Sequence, residues 1–183
     1  MGQIISNLFG RLFRKEETKI LMLGLENAGK TTILYKLNFG EVVYSIPTIG
    51  FSLETVEYKS TLIISRPVGG STRPRPLLKY YYAHTQGLIF VVDSSDRDRI
   101  IQAQEELQKT LSFEELKDVP LLVLTNKQDL AGAMSASEVA EKLDIITLKD
   151  QAWHIQGTCA VRGDGLYDGF QWLTQTISKK EKK

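Results

Sequence analysis

The octet Gly24-Leu25-Glu26-Asn27-Ala28-Gly29-Lys30-Thr31 follows directly on the apolar run Ile20-Leu21-Met22-Leu23. The pattern G-x-x-x-x-G-K-T, delivered by a strand and continued by a helix, is a phosphate-binding loop. Gly24 and Gly29 let the backbone turn sharply and approach an anion with no Cβ in the way, so successive N–H groups point inward at a β-phosphate. Lys30 sets its ammonium between β- and γ-phosphates, and the Thr31 hydroxyl is a ligand for Mg2+. The helix that starts there turns its positive dipole end toward the same charge.

A second constellation selects the base. Val119-Pro120-Leu121-Leu122-Val123-Leu124 reads as a buried parallel strand and leads into Asn126-Lys127-Gln128-Asp129, an N-K-x-D base reader. Guanine presents N1–H and an exocyclic amine side by side, and one carboxylate at Asp129 accepts from both. Adenine lacks that pair of donors, so a kinase acting on small metabolites, with its adenine site, is disfavoured. Lys127 is expected to lay its stem along the base while Asn126 ties this loop to the phosphate loop. Beyond a third apolar stretch, Thr158-Cys159-Ala160 offers the Ala160 N–H to guanine O6.

Apolar strand runs alternate with amphipathic helical stretches, which predicts an α/β fold: a mostly parallel six-stranded sheet flanked by helices. Strands are expected at 20–23, 51–58, 61–65, 87–92, 119–124 and 153–158, with helices near 29–38, 97–111, 135–142 and 165–177. Ligands of such sheets sit at the carboxyl ends of the strands, which is where both motifs fall. The tail from Ser178 to Lys183 reads as a solvated, disordered charge run. The resulting division is an amphipathic segment at 1–16, a nucleotide-binding domain at 17–178 and a basic tail at 179–183.

Composition bounds the partners. The chain has 183 residues, 42% apolar and 25% charged, with a net charge of +1, so nothing global argues for nucleic acid or acidic substrates. The run Lys79-Tyr80-Tyr81-Tyr82 reads as core or interface rather than as a base-stacking platform. Cys159, the sole cysteine, reads as a small buried hydrophobe, and His84 and His154 lack metal-ligand spacing. No apolar run approaches the ~18 residues of a spanning helix.

The first residues carry a different signal. Met1-Gly2-Gln3-Ile4-Ile5-Ser6 fits N-myristoylation at Gly2. Ile4, Ile5, Leu8, Phe9, Leu12 and Phe13 recur on one helical face, and Arg11, Arg14 and Lys15 add positive charge. One myristoyl chain binds a membrane marginally, and a basic amphipathic helix is the second signal that such binding requires.

Together these residues resemble the ADP-ribosylation factor and ADP-ribosylation-factor-like small GTPases. The resemblance runs from Met1 to about Ile177 and rests on GLENAGKTTILYKL at 24–37, IPTIGFSLETVEYK at 46–59, QGLIFVVDSSDRDR at 86–99 and NKQDL at 126–130. It implies the P-loop NTPase, small G-protein fold and a GTP/GDP switch with Mg2+. Nucleotide contacts then come from Gly24, Asn27, Ala28, Gly29, Lys30, Thr31, Thr32, Thr48, Gly70, Asn126, Lys127, Asp129, Cys159 and Ala160, with Thr48 joining Thr31 on the metal. Exchange factors, GTPase-activating proteins, effectors and a membrane surface are the implied partners of a monomer that is cytoplasmic and reversibly bound to the Golgi or another endomembrane, in vesicular trafficking. In the family the N-terminal helix is docked with GDP bound, and the strands at 51–58 and 61–65 slide to expel it when GTP binds.

One segment departs from that pattern. Where the family reads W-D-V-G-G-Q, this chain reads Arg66-Pro67-Val68-Gly69-Gly70-Ser71. Pro67 replaces the Asp that holds a Mg2+-bound water, and Ser71 replaces the Gln that orients the attacking water. Gly70 keeps its N–H for the γ-phosphate, but Ser71 is too short to reach an in-line water. Hydrolysis is expected to be slower by about tenfold or more, and Mg2+ to bind about 10- to 100-fold more loosely. The family's effector patch of one Phe and two Trp is also altered, since Phe51 persists while Arg66 and Leu78 stand at the Trp positions. Two functions follow: a slowly hydrolysing switch, or a GTP-binding scaffold whose state is set by exchange alone.

Overall fold

A computed structural model describes residues 18–37, 54–58, 61–67 and 82–181. The elements are β1 (Thr18–Gly24), α1 (Lys30–Lys36), β2 (Glu54–Tyr58), β3 (Thr61–Pro67), β4 (Gly87–Asp93), α2 (Ile100–Leu111), β5 (Leu121–Asn126), α3 (Ala136–Lys142), β6 (Trp153–Gly157) and α4 (Leu166–Lys180). Short 3-10 turns fill Glu114–Leu116 and Ile145–Thr147.

Among the described residues six strands form one sheet in the order β2-β3-β1-β4-β5-β6. Only β2 runs antiparallel, against β3; every other neighbouring pair is parallel. Continuous apolar runs suit this arrangement because both faces of a central parallel strand are covered. Side chains alternate accordingly. Leu21, Leu23, Phe90 and Val123 join Ala103 and Leu107 of α2 and Val139 of α3 in one core. Ile20, Met22, Val91 and Leu124 pack on the other face with Ile33 of α1 and Phe170, Leu173 and Ile177 of α4. The packing thus puts α1 and α4 on one side and α2 and α3 on the other, leaving the carboxyl ends of β1, β4, β5 and β6 at one rim.

Boundaries shift for local reasons. Strand β5 starts at Leu121 rather than 119, after Pro120, which has no N–H and enters only through its carbonyl, accepting from Leu88 N at 3.0 Å. Helix α2 starts at Ile100, because Asp96 Oδ1 accepts from Arg99 N at 3.2 Å and holds the preceding residues in a turn. Ser135 caps α3 by accepting from Glu138 N at 3.2 Å.

The disordered tail expected from Ser178 to Lys183 is corrected over its described part, since α4 continues to Lys180 and is capped at Glu181, while residues 182–183 lie outside the described residues. Ile177 is buried against the sheet, Lys180 Nζ donates to Asp118 O at 2.6 Å, and Gln86 Nε2 donates to Glu181 Oε1 at 2.8 Å. Lys179 and Lys180 also sit at the negative end of the helix dipole, so these two lysines extend the helix. Among the described residues no helix is long and apolar enough to cross a membrane. Tyr82 is buried and its ring meets Phe113 edge-on with centroids 4.8 Å apart, a core role for that residue, while residues 79–81 lie outside the described residues.

Candidate nucleotide-binding site

The loop after β1 is shaped by two close approaches. A Cβ on Gly24 would lie 2.3 Å from the Val91 carbonyl oxygen, and one on Gly29 would lie 2.2 Å from Asn126 Nδ2, so neither position admits a side chain. Gly29 also has φ of +96°, and Asn27 between them is left-handed at +64°. This backbone leaves a cradle ahead of α1, whose first turn carries Thr31 and Thr32, both exposed. Lys30 is 7% exposed and its ammonium donates to Gly24 O at 3.0 Å and Leu25 O at 2.7 Å. A buried ammonium requires such partners, and here they hold it across the mouth of the loop.

Asn126, at the end of β5, joins three loops. Its Nδ2 donates to Ala28 O at 2.9 Å, while its Oδ1 accepts from Ala160 N at 2.9 Å and from Thr158 Oγ1 at 3.4 Å. The expected tie between the base loop and the phosphate loop is therefore present. The Ala160 N–H, assigned from sequence to guanine O6, is engaged by Asn126 Oδ1 in this structure. That difference arises because a buried amide oxygen needs a donor of its own.

Lys127 has φ of +67° and its Nζ contacts Asp93 Oδ2 at 2.5 Å. The end of β4 thus fixes the lysine stem that the sequence aligns with a base. Asp93 also accepts from Ser95 N at 3.0 Å and Ser95 Oγ at 2.6 Å. Burial pushes the Asp93 carboxyl up, but the hydrogen bonds from Lys127 and Ser95 and the lysine charge outweigh it, and its pKa lies below the ordinary value. Asp129 is exposed, and its pKa is lowered chiefly by a hydrogen bond from the Cys159 thiol, with help from its own N–H and the charges of Arg162 and Lys127. It is therefore an ionised, acceptor-only group at neutral pH, as a reader of two donors must be.

Arg99 is a support that motif reading missed. Its Nη1 donates to Glu26 O of the phosphate loop at 3.2 Å while Nε holds Asp96 Oδ2 at 2.6 Å. The Asp96-x-x-Arg99 spacing at the entry to α2 was the available signal. Lys36, from the far end of α1, donates to Val161 O at 3.1 Å and so ties α1 to the loop after β6.

The site falls where β1, β4, β5 and β6 release their chains, with Gly24 in register with Pro67 of β3 and Asp93 in register with Asn126. Gly2, Thr48, Phe51, Gly70, Ser71 and Leu78 lie outside the described residues, as does the amphipathic segment at 1–16. Residues 1–177 match the family described as "Arf: ADP-ribosylation factor family". The chain belongs to the ADP-ribosylation factor family. Its fold is accordingly the small GTPase fold, and membership makes it a small GTP-binding switch of a GTPase family. Guanine nucleotide, usually with Mg2+, and the general classes of exchange factor, GTPase-activating protein and effector belong to ADP-ribosylation factors as a group. Gly24 and Gly29, where a Cβ would strike the Val91 carbonyl oxygen and Asn126 Nδ2, let the backbone turn ahead of α1, and the Lys30 ammonium and exposed Thr31 hydroxyl beside that turn are groups that fit a polyphosphate.

Proposed function

We propose that this ADP-ribosylation factor family member holds guanine nucleotide between the 24–31 loop and Asp129 and switches effectors at a membrane with slow intrinsic GTP hydrolysis. The observation that carries the reading is the Asn126 side chain, which couples Ala28 of the phosphate loop to Ala160 of the base loop within one buried amide. Main-chain N–H groups from Asn27 to Thr32 bind the phosphates, and Lys30 leaves its loop carbonyls to neutralise the β- and γ-oxygens. Lys127 and Asp129 orient and select the base, and Cys159 supports Asp129 from behind.

Thr31 and Thr48 are the hydroxyls that would hold Mg2+, which when bound screens the charge of the transferring phosphoryl group. Gly70 donates its N–H to that group. At position 71 a serine hydroxyl replaces a carboxamide and leaves the attacking water without an in-line orienter. Positioning accounts for most of the protein's part in phosphoryl transfer, so turnover falls. Gly2 acylation and the apolar face at 4–13 supply the membrane contact, by resemblance at the Golgi or another endomembrane, and altered residues 66 and 78 redirect effector choice.

Pro67 and Ser71 together favour a second reading, a scaffold whose GTP state ends only by nucleotide exchange. Chromatography of the nucleotide released from purified protein tests both. The switch is expected to yield guanine nucleotide as a mixture of GDP and GTP, and the scaffold to yield GTP alone; adenine nucleotide, or none, contradicts the site.

A further inference from the structure

The x of N-K-x-D has no part in gripping the phosphates or the base, yet in this chain Gln128 is braced from three directions. Its Nε2 donates to Ser94 Oγ at 2.9 Å and to the Met134 carbonyl at 2.8 Å. Ser94 is fully buried, and its hydroxyl donates onward to Asn126 O at 2.6 Å, an oxygen that also receives Ser94 N at 3.0 Å. Met134, also fully buried, returns its N–H to Ser94 O at 2.7 Å. From the other side the Gln128 N–H donates to Thr158 O at 3.1 Å, and the Gln128 stem lies 3.6 Å from where a Cβ on Gly157 would sit. The Met134 carbonyl only accepts, which fixes the orientation of the Gln128 amide.

We infer that Gln128 is a positioning residue for base discrimination, setting the direction of the Asp129 carboxylate by locking the intervening backbone to Ser94 and Met134. This rests on the reading of Asp129 as the guanine-selecting group. The Cys159 thiol and its own N–H hold the exposed Asp129 carboxylate, and the backbone that presents it is set by the chain on either side. On the amino side Lys127 sits at φ +67°, a left-handed conformation that persists only where neighbouring bonds hold it. Without the Gln128 amide, Ser94 Oγ and Met134 O lose their donor and the turn relaxes. Misalignment weakens the paired contact to guanine N1–H and the 2-amino group. Hypoxanthine, which has no 2-amino group, loses less.

The test uses the full chain with GDP and IDP labelled on the ribose with a fluorophore, and reads the ratio of their dissociation constants. Gln128→Leu removes both donors, Gln128→Glu keeps the shape and points a carboxylate at acceptors, and Ser94→Ala removes the relay. The wild-type protein is expected to prefer GDP, and each Gln128 variant to cut that preference about three- to tenfold. Ser94→Ala is expected to cut it less and to add little on top of Gln128→Leu, because the two act through one network. A preference that survives both Gln128 variants undiminished, while both nucleotides bind more weakly, overturns the inference and leaves Gln128 a plain structural brace. Should Gln128→Leu fail to fold, Gln128→Glu and Ser94→Ala decide by the same ratio. A wild-type protein indifferent to GDP and IDP contradicts instead the role given to Asp129.

Discussion

The side-chain amide of Asn126 donates to the carbonyl oxygen of Ala28 at 2.9 Å, across 98 residues of sequence. Phosphate and base loops are thereby one mechanical unit. Asn126→Asp keeps an acceptor for Ala160 N and loses the donor to Ala28, whose carbonyl then faces a carboxylate. Loss of such a bond costs about 1–3 kcal/mol, so release of fluorescent GDP is expected to accelerate roughly 10- to 100-fold, measured by chase with unlabelled nucleotide.

Three glycines separate steric demand from backbone strain. Gly29→Ala drives a Cβ into Asn126 Nδ2, and Gly24→Ala drives one into the backbone oxygen of Val91, which has no rotamer to escape by. Both variants are expected to lose guanine-nucleotide binding in calorimetry. Gly132 has φ of +78° but nothing within 4 Å of where a methyl would sit, so Gly132→Ala is expected to lower stability by about 1–2 kcal/mol and leave binding intact.

Acid sensitivity follows from Asp93. Its folded pKa lies below the ordinary value of 3.8, so the stability it contributes is complete above that value and is lost as pH falls through the lower folded pKa. Lys127→Met removes the principal partner and is expected to raise the Asp93 pKa, moving the acid unfolding midpoint to higher pH. Carboxyl chemical shifts followed by NMR through the acid range check the direction.

Hydrolysis turns on position 71. Ser71→Gln is expected to raise single-turnover GTP cleavage by about tenfold or more, because a carboxamide reaches the attacking water that a serine does not. Equal rates for the two proteins, measured by phosphate release, contradict the role given to this residue.

The strands and both loops were legible because the signals are local: unbroken apolar runs such as Gly87–Val92 mark strands covered on two faces, and glycine spacing marks the turn that follows. Asn126 was assigned its bridging role from its motif, and the geometry agrees. What local pattern does not carry is long-range pairing. Lys180 reads as a solvated charge until Asp118 O is seen to accept from it, and the N-K-x-D pattern says nothing of Ser94 and Met134, to which Gln128 donates. Ala160 N was assigned to the base because the sequence shows that donor without showing the Asn126 oxygen that takes it.

One rim of the sheet, on this account, grips a polyphosphate and selects guanine through Asp129. Titration calorimetry of nucleotide-stripped protein with Mg2+ tests it most directly. GTP is expected to bind at least about 100-fold more tightly than ATP, with Asp129→Asn erasing most of that margin. Equal affinity for the two nucleotides in the wild-type protein contradicts it.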